Sequence, residues 1–170
     1  RRDIFANYHV SGSFAAASRI GRPAAEERLS ALDQQWLREK RLVPSADGAA
    51  RTIVYRAAKG AVVQTAWCSA PMDMFAASTV SNPPNEERAS VMEKVSSSDE
   101  PVFFVQVFRH LAEQDPEALA AAVALEGDGT RIGLLGEGGS AFRIAVGDGT
   151  YAAGWDERGA GFVRRISSGA

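Results

Sequence analysis

The sequence predicts an α+β fold: an antiparallel sheet of about six strands, built from a hairpin at 51–68 and a C-terminal meander at 130–166, covered by helices from 1–41 and 86–125. Three observations predict it. The stretch RTIVYRAAKGAVVQTAWC at 51–68 is rich in Val, Ile, Thr, Tyr and Trp and is interrupted at Lys59-Gly60, the pattern of a hairpin. From Gly127 onward, β runs at 130–135, 141–146, 150–155 and 161–166 alternate with glycine-rich turns. Outside these stretches, apolar residues recur at three- and four-residue spacing, as on one face of a helix. The 170 residues suit one α+β domain, with 1–20 as a loosely attached N-terminal segment.

The elements follow in order. Residues 3–10 read as a short helix with Ile4, Phe5 and Tyr8 inward, and 11–18 as a small, polar linker. Residues 21–41 read as a helix. Pro23 suits its first turn, Glu26 and Glu27 lie at the positive end of the helix dipole, and Ala25, Leu29, Leu32 and Trp36 share one face. Arg38, Lys40 and Arg41 load its last turn, and Pro44 stops it. In the hairpin, Ile53 and Tyr55 share a face. Residues 69–85, with Pro71, Pro83 and Pro84, read as loop. Asn85 is placed to cap a helix over 86–95, with Ala89, Met92 and Val95 at intervals of three. In 101–114 the run Val102-Phe103-Phe104-Val105 favours a strand, whereas Phe108, Leu111 and Ala112 favour the helix assigned here. Asp115-Pro116-Glu117 is a helix start (cap, first-turn proline, acid) for a helix reaching about Leu125.

Composition narrows the function classes. The net charge of −2 supplies no basic field for nucleic acid or anionic lipid, and no apolar run approaches the ~18 residues of a membrane span. Neither nucleic acid nor membrane is expected as a partner. The charge is uneven: residues 81–126 carry three Lys/Arg against nine Asp/Glu, a surface on which a partner protein with a basic face could dock. The single cysteine, Cys68, excludes an internal disulfide. With no signal peptide in the sequence, it favours an intracellular setting. The start Arg1-Arg2-Asp3, without methionine, is expected of a domain cut from a longer protein, or of the ordered or mature part of one.

The most motif-like stretch is GDGT, at 127–130 and again at 147–150. A calcium loop needs six to eight oxygens, and each copy brings one aspartate. A phosphate loop leads into a helix, and here a β run follows each copy. Asp-Gly between β runs is instead turn chemistry. The second copy, GDGTYAAGWDERGAGF, resembles a MORN repeat through Tyr151, Gly154, Trp155, Gly159 and Gly161. Its spacing after Trp155 departs from that pattern by a residue, and no function is carried over.

Three functional readings follow. The first is a non-catalytic protein–protein interaction or scaffold domain of a larger protein. Its binding patch is Tyr151, Trp155, Arg164 and Arg165, because Trp, Tyr and Arg dominate interface hot spots. The second is a small-molecule-sensing domain. The order hairpin, helices, meander resembles sensory domains of the PAS and GAF type, which implies a ligand cavity between the helices of 86–125 and the sheet. The third is a small cysteine-dependent enzyme using Cys68 with His110 and Asp115, which requires those side chains within hydrogen-bond reach. His9 and His110 lack nearby ligands at metal spacing, so no metal site and no cofactor are expected.

Overall fold

The computed structural model of the chain describes residues 3–11, 13–15, 37–43, 50–80, 87–96, 99, 101–126, 128–136 and 141–166. Among these residues the protein is mostly β, with eleven strands, one helix and three antiparallel sheets. The expected α+β arrangement, with several helices over one six-stranded sheet, is therefore corrected. The chain divides into two compact units, Arg1–Leu125 and Glu126–Ala170.

The first unit holds two sheets. One has the order β1-β6-β5-β2, from β1 (Ile4–Ser11), β2 (Leu37–Val43), β5 (Asp73–Val80) and β6 (Glu87–Val95). The other has the order β3-β4-β7, from β3 (Arg51–Arg56), β4 (Ala61–Cys68) and β7 (Phe104–Leu111). They pack face to face, with Val43, Met74, Ala76, Val91 and Val95 of the first against Ile53, Tyr55 and Ala66 of the second. The helix α1 (Pro116–Glu126) lies on the other side of the second sheet, with Ala120 packed among Val54, Ala61 and Val63. The second sheet is thus covered on both faces, and β4 is buried at Val63, Gln64, Thr65 and Ala66 in succession. Residues 13–15 run beside β3, where Ala15 N donates to Val54 O and Phe14 stacks on Tyr55.

The expected hairpin at 51–68 forms, as β3 and β4 in register Arg56↔Ala61 to Arg51↔Ala66. Gly60 in its turn has φ +70°, and a Cβ there would stand 2.1 Å from Leu111 O. Both facts demand glycine. The expected helix start at Asp115 also forms, with Asp115 Oδ1 accepting from Ala118 N at 2.8 Å.

Five other elements are corrections. Residues 3–10 belong to β1, not a helix. Ile4 and Tyr8 pack on the core while Phe5 is exposed, and a spacing of four puts residues on one side of a strand as well as of a helix. Residues 86–95 hold β6, whose inward residues are Ala89, Val91, Glu93 and Val95, while Met92 packs with Phe75 and Ala77 on the opposite face. The buried acid at Glu93 hides the period of two. The loop expected at 69–85 contains β5, whose Met74, Phe75, Ala76 and Ala77 are all buried, so no polar alternation marks it. In 101–114 the strand wins, as β7 pairs with β4 from Ala61↔Leu111 to Cys68↔Phe104. The end of the expected helix at 21–41 is strand β2, with a bulge between Arg38 and Arg41 and Glu39 at φ +50°. The rest of that helix lies outside the described residues.

The second unit is the expected meander, as a sheet of its own with order β11-β10-β9-β8. Its strands are β8 (Arg131–Leu134), β9 (Ala141–Val146), β10 (Gly149–Trp155) and β11 (Gly161–Arg165). The hairpin 51–68 pairs with β7 and not with this meander. Among the described residues no helix is long and apolar enough to cross a membrane.

Candidate functional site

Both copies of GDGT are turns in their described residues, Gly127 of the first lying outside them. In the first, Asp128 accepts from Thr130 N at 3.1 Å and from Thr130 Oγ1 at 2.7 Å, a local cap that leads into β8. In the second, Val146↔Gly149 closes a two-residue loop with Gly147 at φ +58°, as a type II′ turn requires of its first central residue. The centre of the turn is Gly147-Asp148, one residue earlier than Asp-Gly chemistry suggests. Asp156 organises the next turn by accepting from Arg158 N and Ala160 N.

Turn placement sets which side chains share a face of the β8–β11 sheet. One row across it is Leu134, Phe142, Ala153, Val163, and the next is Ile132, Ile144, Tyr151, Arg165. Trp155 stands on the same face and meets Phe142 edge-on, with ring centroids 6.3 Å apart. This face is apolar and open: Leu134 is 49%, Trp155 49% and Val163 76% exposed. At its corner Arg165 lies 3.8 Å from Asp148. The opposite face carries Arg131, Arg143 and Arg164, with the Arg164 guanidinium 5.5 Å from the centre of the Phe162 ring. The structure therefore brings Tyr151, Trp155 and Arg165 to one face and turns Arg164 to the other.

A second constellation lies inside the first unit. Tyr55 donates to Gln64 Oε1, Gln64 Nε2 to Gln106 Oε1 at 2.8 Å, and Gln106 Nε2 to Glu93 Oε1 at 2.6 Å. All three bonds run toward the carboxylate, so each donor is polarised by the next. Glu93 is fully buried, and its Oε2 has no hydrogen-bond partner among the described residues. Burial pushes its carboxyl up to about 7, against the opposing pull of Gln106 and Arg51. Arg51 is buried nearby. It donates to Met72 O, its Nε lacks a partner among the described residues, and burial lowers its pKa. Tyr8 is raised by burial and then by Glu93. An open cleft of ≈ 420 Å³ lies beside this end of the sandwich, lined by residues including Met72, Asp73, Lys94 and Val95.

Cys68, His110 and Asp115 do not meet. Cys68 pairs with Phe104 and His110 with Val62, at opposite ends of β4. Six strand positions separate them, roughly 20 Å. His110 Nε2 bonds to Lys59 O, Asp115 caps α1, and burial raises the Cys68 thiol, which disfavours its thiolate. Among the described residues no group of three or more His, Cys, Asp or Glu is placed to hold a metal. The acids of 81–126 are dispersed: Glu93 is interior, Glu117 pairs with Arg56 and Asp115 is a cap.

The interior polar residues are absent from the sequence-derived candidates. The available signal was Glu93 itself, an acid at the same parity as Ala89, Val91 and Val95 in a β-compatible run. No known family model, curated protein or solved structure matches the chain.

Proposed function

We propose that the chain is a non-catalytic protein-interaction domain that presents the apolar face of the β8–β11 sheet to a partner protein with an apolar contact surface. One observation carries the proposal: Leu134, Trp155 and Val163 are exposed together on one face, beside Tyr151 and Arg165. Single apolar residues are normal on a surface, but several large ones exposed on one sheet face, a Trp at its end among them, are characteristic of binding surfaces. The test is affinity capture with the tagged chain. Trp155→Ala and Leu134→Asp lose the captured protein, whereas Arg143→Ala, on the opposite face, retains it. Equal capture by all of these variants would overturn the reading.

A second reading, a small-molecule binder, has its own observation in the buried atoms Glu93 Oε2 and Arg51 Nε, which have no hydrogen-bond partner among the described residues. Native mass spectrometry of the freshly purified chain tests it. A mass excess over 18.1 kDa that Glu93→Gln abolishes supports this reading, and a bare chain counts against it.

A further inference from the structure

The backbone of β11 has a defined open side. Ile166 N donates to Thr150 O, and Asp156 N donates to Ala160 O. The even-numbered residues of this stretch therefore direct their N–H and C=O groups toward β10, and Gly161, Val163 and Arg165 direct theirs away from it. β11 is the last strand of its sheet, so those six groups have no strand partner among the described residues. Val163 is 76% exposed and the Arg165 side chain 64%. An open edge of this kind is a template for another strand.

We propose that β11 pairs antiparallel with β11 of a second copy of this chain, about a two-fold axis at Val163, to form a continuous eight-stranded sheet. The sequence GFVRR is self-complementary in that register. Val163 meets the partner's Val163, Phe162 meets the partner's Arg164, and Gly161 meets the partner's Arg165. All three outward-facing residues of each strand then exchange hydrogen bonds, six in all. Arg164 already stacks on Phe162 within one chain, so the cross-strand pair repeats a contact these side chains make. Gly161 lies opposite Trp155 and leaves the room beside the indole open, with Gly154 O at 3.9 Å the nearest atom to a Cβ there. The partner's Arg165 fills it against the indole. Moving the axis to residue 164 sets Arg164 against the partner's Arg164, which is repulsive, and moving it to residue 162 leaves Arg165 outside the paired strands. The axis at Val163 avoids both. The paired strands are short, so the dimer is concentration-dependent.

This pairing is carried by the open strand edge, but Val163, Arg165 and Trp155 also lie on the face proposed to bind a partner, so the two proposals are separated by Leu134→Asp, which loses the partner protein and keeps the dimer. Sedimentation equilibrium of the full chain at rising concentration is the test. The wild type shifts from monomer to dimer. Val163→Asp and Val163→Lys, at a largely exposed position that leaves the fold intact, each stay monomeric because like charges face each other across the axis. An equimolar mixture of the two restores the dimer. Leu134→Asp, at the other edge of the sheet, dimerises like the wild type. A wild type that stays monomeric, single-charge variants that dimerise normally, or a mixture that fails to reassociate would overturn the pairing.

Discussion

Replacing Glu93 with glutamine tests the interior of the sandwich through pH. The carboxyl is fully buried and its pKa is pushed from 4.5 to about 7. A carboxyl with a higher pKa in the folded than in the unfolded state binds its proton more tightly when folded. Its stabilising contribution is full below about pH 4.5, falls as the pH rises, and is gone above about pH 7. The shift of about 2.5 units at 1.36 kcal/mol per unit corresponds to about 3 kcal/mol, an order-of-magnitude figure. Glutamine retains the oxygen that accepts from Gln106 and cannot ionise. The attraction between the ionised carboxylate and Arg51 grows in with that ionisation and is already contained in the pKa of about 7, so it adds no separate pH dependence. The readout is therefore the pH dependence of the difference between the two proteins, not the difference at one pH. Urea unfolding at about pH 5, 6, 7 and 8 should show wild-type stability falling relative to Glu93→Gln by roughly 2–3 kcal/mol across the series. A difference that stays constant would refute the assignment, since Glu93 would then not be ionising in that interval.

Other expectations are local. Gly60→Ala should cost more than about 2 kcal/mol in thermal unfolding, because the left-handed turn and the approach to Leu111 O both exclude a Cβ. Tyr55→Phe leaves Gln64 Oε1 without its buried donor and should cost about 1–3 kcal/mol by urea denaturation. Asp115→Ala should lower stability by about 1 kcal/mol through loss of the α1 cap, with Asp115→Asn nearly neutral. Arg56→Ala breaks an exposed pair with Glu117 and should change stability by less than about 1 kcal/mol in the same assay.

The elements legible in the sequence were those written by local chemistry. Lys59-Gly60, Asp115-Pro116 and the glycine-punctuated C-terminal quarter each state a turn or a cap through φ, donor or acceptor requirements that neighbours cannot override. Strands β1, β5, β6 and β7 were illegible for a different reason. Each packs partly or wholly in a two-sheet core, so the polar alternation that marks a half-buried strand is absent from β5 and interrupted by Glu93 in β6. Spacings such as Ile4 to Tyr8 and Ala89 to Met92 then pass for helical faces. The proposed binding face was partly legible: Tyr151, Trp155 and Arg165 share it because they are odd-numbered residues on β10 and β11 in a register set by two turns. The same register turns Arg164 away.

The sequence by itself determined turns such as that at Lys59-Gly60, where α1 starts, and that strands β8 to β11 form a meander, because those features depend on residues adjacent in the chain. Tertiary structure alone decided that the hairpin pairs with β7, that β6 presents an acid to the core, and that Gln64, Gln106 and Glu93 join across three strands. These choices depend on which faces are buried against one another, and burial is a property of the assembled sheets rather than of any local stretch.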